Sequence, residues 1–72
     1  MNDFAFDFSP MEHLIDEKIT GKKCARNREI LKLRFLQGLT FAEIAERMDM
    51  SEVQISRIIH RYGDPLLLML RK

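Results

Sequence analysis

Residues 40–62, TFAEIAERMDMSEVQISRIIHRY, decide the fold. Thr40, with Glu43 three residues on, forms a capping box, in which the hydroxyl and the carboxylate each accept a free backbone amide at a helix start. Phe41, Ile44, Ala45 and Met48 follow at i, i+3, i+4 and i+7, the stripe of a helix with one buried face. Only Asp49 and Met50 separate this helix from Ser51, a second good cap. The helix predicted next, over residues 51–62, repeats the stripe with Ile55, Ile58, Ile59 and Tyr62. That leaves Val53, Gln54, Ser56, Arg57, His60 and Arg61 facing outward. Two helices joined so tightly must cross at a steep angle, and the pair reads as a helix-turn-helix.

The physical use of that shape is a fit to duplex DNA. The major groove admits one helix, so the first helix can rest against the sugar-phosphate backbone while the second presents its side chains to base edges. Arg57 has the geometry to grip a guanine with two hydrogen bonds, Gln54 to do the same for adenine, and Val53 to touch a thymine methyl. Arg61, His60 and Ser56 are candidates for phosphate or rim contacts.

Working outward, residues 25–36 predict a helix with Ile30, Leu31, Leu33 and Phe35 as its apolar contacts, a strongly basic polar side and a stop at Gln37-Gly38. Ser9, Pro10 and Glu12 look like another helix start. A first helix over residues 10–19 follows, with Met11, Leu14, Ile15 and Ile19 at helical spacing and Thr20-Gly21 at its end. Phe4, Phe6 and Phe8 alternate with Ala5 and Asp7 and read as an extended arm. At the other end, Gly63-Asp64-Pro65 is expected to stop the recognition helix, and the remaining LLLMLRK to make one or two helical turns docked by leucines. The expected fold is therefore all-α, a small bundle of four to five short helices. Its parts are an acidic arm and first helix (1–24), the helix-turn-helix core (25–62) and an apolar C-terminal helix (63–72).

Composition agrees with one small folded unit: 72 residues, 46% hydrophobic, 32% charged, with 3 Gly and 2 Pro. The net charge is only +1, but the charges are segregated. Residues 1–20 hold five acidic groups against one lysine, residues 21–36 six basic against one acidic, residues 37–52 four acidic against one arginine, and residues 53–72 four basic against one acidic. A fold that gathers the two basic segments onto one face creates a phosphate-binding surface. The longest apolar run, residues 66–70, is five residues where a membrane helix needs about 20, so no membrane contact is expected. The acidic N-terminus does not read as an export signal, and the lone Cys24 fits a reducing cytoplasm. His13 and His60 have no Cys or His partner at i+3 or i+4, and the carboxylates Glu12, Asp16 and Glu17 lie on a solvated helix face. No metal, cofactor or enzyme chemistry is expected.

The pieces R-E-I-L-x-L-R-F at Arg28 to Phe35, G-L-T at Gly38 to Thr40, E-I-A-E at Glu43 to Glu46 and S-x-x-Q-I-S-R-I at Ser51 to Ile58 together resemble region four of bacterial sigma factors, the module that reads the minus-35 promoter element. The resemblance implies that Glu52, Val53 and Arg57 approach bases, and that Arg28, Lys32, Arg34 and the capping Thr40 lie near the DNA backbone. Asp49 stands where that family usually has a turn glycine; Asp enters the left-handed region more readily than most residues. Glu52 and Val53 replace the more common polar or basic choices. The C-terminal DNA-binding domain of LuxR-type response regulators shares the E-I-A-E-type helix. That family usually carries a K-T-V-type run where this chain has Val53-Gln54-Ile55-Ser56-Arg57.

These readings predict a cytoplasmic, bacterial or phage transcription regulator that binds double-stranded DNA. It is expected to stand alone, without the region that binds the minus-10 element and core polymerase. The alternative is a protein-interaction module that docks on RNA polymerase or a sigma factor, with little DNA affinity of its own. The apolar ends, Phe4, Phe6 and Phe8 and residues 66–70, either pack on each other or form an interface, with a homodimer as the expected use. An acidic arm folded over the basic helix would in addition lower DNA affinity until displaced.

Overall fold

The computed structural model describes residues 9–70, which form five α-helices and one π-helical segment, with no strand among the described residues. The helices are α1 (Ser9–Lys18), α2 (Cys24–Phe35), α3 (Phe41–Met48), α4 (Glu52–Ile58) and α5 (Asp64–Leu70); the π segment, Ile59–Gly63, joins α4 to α5. The small all-helical bundle read from the sequence is the fold observed. The arm at Phe4, Phe6 and Phe8 lies outside the described residues.

One core holds the bundle together, and every helix contributes to it. Ile15 of α1, Ile30, Leu31 and Leu33 of α2, Ile44 of α3, Ile55 of α4 and Leu66 of α5 are all fully buried, joined by Met11, Ile19, Ala45 and Ile59. These are the predicted apolar stripes, with Leu14, Phe35, Phe41, Met48, Ile58 and Tyr62 half-buried at their margins. Asn27 is the one buried polar residue among those described, and its Oδ1 accepts from the Arg26 Nε and Nη2 at 3.2 and 3.0 Å. A buried amide oxygen satisfied in this way carries no desolvation penalty large enough to disturb the core.

The loops use the conformations that their residues permit. Gly21 and Gly38 sit at φ 91° and 75°, as the ends of α1 and α2 require. Lys23, just before α2, is also left-handed at φ 61°, which the sequence did not announce. Asp49, between α3 and α4, is left-handed at φ 56°, as its place in the turn led one to expect.

The C-terminal half departs from expectation. Gly63-Asp64-Pro65 does not stop the recognition helix: Ile58, Ile59 and Asp64 all keep right-handed helical angles, and the chain passes through the π segment into α5. A proline removes one helical donor and crowds the carbonyl a turn earlier, and a π-widened turn just before Pro65 makes room for both effects. Gly63 is buried, and a Cβ built on it would stand 2.8 Å from Phe35 Cε2 and 2.9 Å from Cζ. This glycine serves the close approach of α2 to the π segment. The docking of the final leucines is also less complete than the sequence implied. Leu66 alone is buried, while Leu67, Leu68, Met69 and Leu70 stay exposed.

Candidate nucleic-acid interface

The helix-turn-helix is fixed by local hydrogen bonds at both ends of α3 and at the start of α4. At the start of α3 the Glu43 amide donates to Thr40 Oγ1 at 3.1 Å and the Thr40 amide to Glu43 Oε1 at 2.8 Å, closing the expected capping box. The two Thr40 groups hold the Glu43 carboxyl below its ordinary pKa, the backbone amide most of all. At the end of α3 the Met50 amide donates to the Ala45 carbonyl at 2.9 Å and the Asp49 amide to Glu46 at 3.4 Å, the paired bonds of a Schellman turn around a left-handed residue.

A second capping box starts α4. The Gln54 amide donates to Ser51 Oγ at 3.1 Å, and the Ser51 amide donates to Gln54 Oε1 at 3.1 Å. Ser51 is the cap that the sequence predicts, but its partner is new: the sequence suggests Gln54 only as an adenine contact. With Oε1 turned back to Ser51, the bidentate grip on adenine is available only at the expense of the cap. The Nε2 group alone stays free to donate. The S-x-x-Q spacing carried this signal and could have disclosed it.

Ile55 and Ile59 anchor the recognition helix, and Glu52, Val53, Gln54, Arg57, His60 and Arg61 share its exposed side. Val53 is 59% exposed, a high value for a valine. Ser56 is half-buried and sits at the edge of this face. Arg57 is exposed and makes no hydrogen bond or ion pair with the described residues, so its whole guanidinium fork is available. His60 Nδ1 lies 3.5 Å from Asp64 Oδ2, and the Arg61 guanidinium lies 5.7 Å from the Tyr62 ring.

The basic side chains of α2 are employed differently. Arg28 Nε donates to the Ile19 carbonyl at 2.8 Å, tying α2 to the end of α1. Lys32 Nζ lies 2.9 Å from Asp16 Oδ1, and its hydrogen bond, with its charge, lowers the Asp16 pKa. Both residues, expected near the DNA backbone, thus also hold the N-terminal part of the chain, Lys32 through α1 and Arg28 just past its end. Arg34 Nη1 donates to the Leu39 carbonyl at 2.9 Å, and its guanidinium stands 4.7 Å over the Phe41 ring. Phe41 also meets His60, edge to face at 6.4 Å between ring centres. Phe41, expected only as core, therefore links α2 and α3 to the π segment. An aromatic residue directly after the cap was the available signal. Of Arg28, Lys32 and Arg34, Arg34 alone bonds to the loop just before α3.

No helix among the described residues is long and apolar enough to cross a membrane. No curated protein and no solved structure matches the chain. The family model for sigma-70, region 4 matches residues 25–62, from the second residue of α2 to the π segment. That family is a DNA-binding helix-turn-helix domain of regulatory rather than catalytic type. The match covers more than half of the chain and the whole helix-turn-helix: the chain belongs to the sigma-70 region 4 family.

Proposed function

We propose that this protein is a sequence-specific, cytoplasmic transcription regulator that reads double-stranded DNA with residues 51–62 in the major groove. The observation that carries the reading is the exposed recognition helix, capped at its start by Ser51 and Gln54, with an unengaged Arg57 on its outer side. In this role Arg57 pairs with a guanine, Val53 packs on a thymine methyl, Glu52 accepts from a cytosine amine, and Gln54 donates through Nε2. Arg61, His60 and Ser56 meet phosphate or the groove rim, and Thr40 and Arg34 approach the backbone at the start of α3. Arg28 and Lys32 support the interface from behind by fixing α2 on α1.

A dimer is part of this reading, because one short helix contacts few bases and two copies read two half-sites. The exposed Leu67 and Leu68 of α5 supply the contact. That same exposed pair also favours a second reading, in which the domain docks on RNA polymerase or a sigma factor and has little DNA affinity of its own.

Selection from a pool of double-stranded DNA at several salt concentrations, with Arg57→Ala alongside, tests the choice. The DNA reading expects enrichment of a site, a steep loss of affinity with salt, and loss of about 1–3 kcal/mol of discrimination in the variant with its melting temperature unchanged. No binding by the wild type even at low salt would overturn it in favour of the protein-docking reading.

A further inference from the structure

α5 is apolar nearly all round, and its exposed residues fall on two separate faces. Successive residues turn by about 100° around a helix, so Met69 and Leu70 flank the buried Leu66 while Leu67 and Leu68 point away from it. Met69 and Leu70 form one wall of a groove whose other wall is Pro10, His13 and Leu14 of α1. Exposures of 45% and 40% for Met69 and Leu70 leave that groove uncovered by any described residue.

We propose that the occupant of the α1–α5 groove is the N-terminal arm of the same chain, with Phe4, Phe6 and Phe8 seated in it. Position argues for this first. Ser9 alone separates Phe8 from Pro10, which already lines the groove. A segment tethered by one residue competes for the site at a very high effective concentration, whereas a second copy must come from solution. Pattern is the second argument. Alternation puts the three rings on one side of an extended chain and Ala5 and Asp7 on the other, so the arm has one apolar face for one apolar groove.

Charge supports the same seat over its competitor. Asp3 and Asp7 belong to the arm, and Arg71 and Lys72 directly follow Leu70 in the sequence. The basic side of α2 is the other place an acidic arm would seek. There Lys32 is already bound to Asp16, and Arg28 and Arg34 to backbone carbonyls.

The test uses the full chain. In a uniformly labelled sample, nuclear Overhauser contacts are expected from the Phe4, Phe6 and Phe8 ring protons to the methyl groups of Met69 and Leu14. In a mixture of chains protonated only at Phe with chains protonated only at methyl groups, those contacts are expected to vanish. Their absence from the first sample overturns the proposal, and so does their survival in the mixture, which would mean that the arm occupies a second copy. A thermal cycle gives an independent reading. Phe4→Ser/Phe6→Ser/Phe8→Ser and Met69→Ser are each expected to lower Tm by about 5 °C or more, and the combined variant to fall by clearly less than the two losses added. Strict additivity overturns the proposal.

Discussion

Gln54 holds two positions in the chemistry of this domain, and one substitution separates them. Its Oε1 caps the recognition helix through the Ser51 amide, while its Nε2 is the group left to donate to a base. Gln54→Glu keeps an acceptor for Ser51 and adds a negative charge at a helix N-terminus, both favourable to α4. It also removes the donor. The expected outcome is an unchanged or slightly raised melting temperature with an altered base preference at the position Gln54 faces, measured by unfolding and by DNA selection in parallel. Gln54→Ala is expected to lose about 1 kcal/mol of stability as well as the preference. If Gln54→Glu left the selected site untouched, Gln54 would be a cap and nothing more. The cations of α2 give the same lesson by a different route. The resemblance expects Arg28 and Lys32 near the DNA backbone, and within the fold they also hold the Ile19 carbonyl, just past α1, and Asp16 of α1. Which partner a long flexible cation takes depends on tertiary placement, and no local pattern records it.

At the scale of elements, what was legible is what local chemistry fixes. The capping box of α3, its left-handed Asp49 stop and the short turn to Ser51 involve groups within a few residues of one another, and each stands where the sequence put it. The α4–α5 junction was not legible, because the reason for Gly63 is Phe35, far away in sequence. Gly-Asp-Pro signals a stop only when the glycine is free to turn left-handed, and here the Phe35 ring claims the space its Cβ would fill. Gly63→Ala gains helix propensity of up to about 1 kcal/mol, but overpacking against the ring costs about 1–3 kcal/mol. A net loss near 1 kcal/mol is expected in chemical denaturation, and Phe35→Leu is expected to relieve it in the double variant. The cap of α3 also leaves a mark on pH dependence. Because the Thr40 amide and hydroxyl depress the Glu43 pKa, the ionised carboxylate stabilises the folded form above its unfolded pKa. That contribution is lost as pH falls through the lower, folded value. Glu43→Gln keeps the acceptor for the Thr40 amide but no longer titrates. Its melting temperature is expected to fall less steeply than that of the wild type on acidification below about pH 5, and equal slopes would remove Glu43 from the account.

At the scale of the whole molecule, α5 has more apolar surface than one partner can cover. Leu66 belongs to the core, Met69 and Leu70 face α1, and Leu67 and Leu68 remain, with Leu68 the most exposed at 61%. A chain of 72 residues buries about 60% of the surface its unfolded form exposes, so adding a second copy here offers stability as well as a second recognition helix. Leu68→Glu places a charge at the centre of that face and touches neither the core nor the recognition helix. Sedimentation is expected to give a dimer for the wild type and a monomer for the variant. The melting temperature of the variant should then become independent of concentration, since mass action no longer couples folding to association. In DNA binding, the wild type is expected to select two half-sites about one helical turn apart, 10–10.5 base pairs from centre to centre, and Leu68→Glu a single half-site bound more weakly. If the wild type sediments as a monomer and still selects one half-site, α5 is a surface for a different protein, and the face of Leu67 and Leu68 is where a polymerase or sigma-factor partner would be sought.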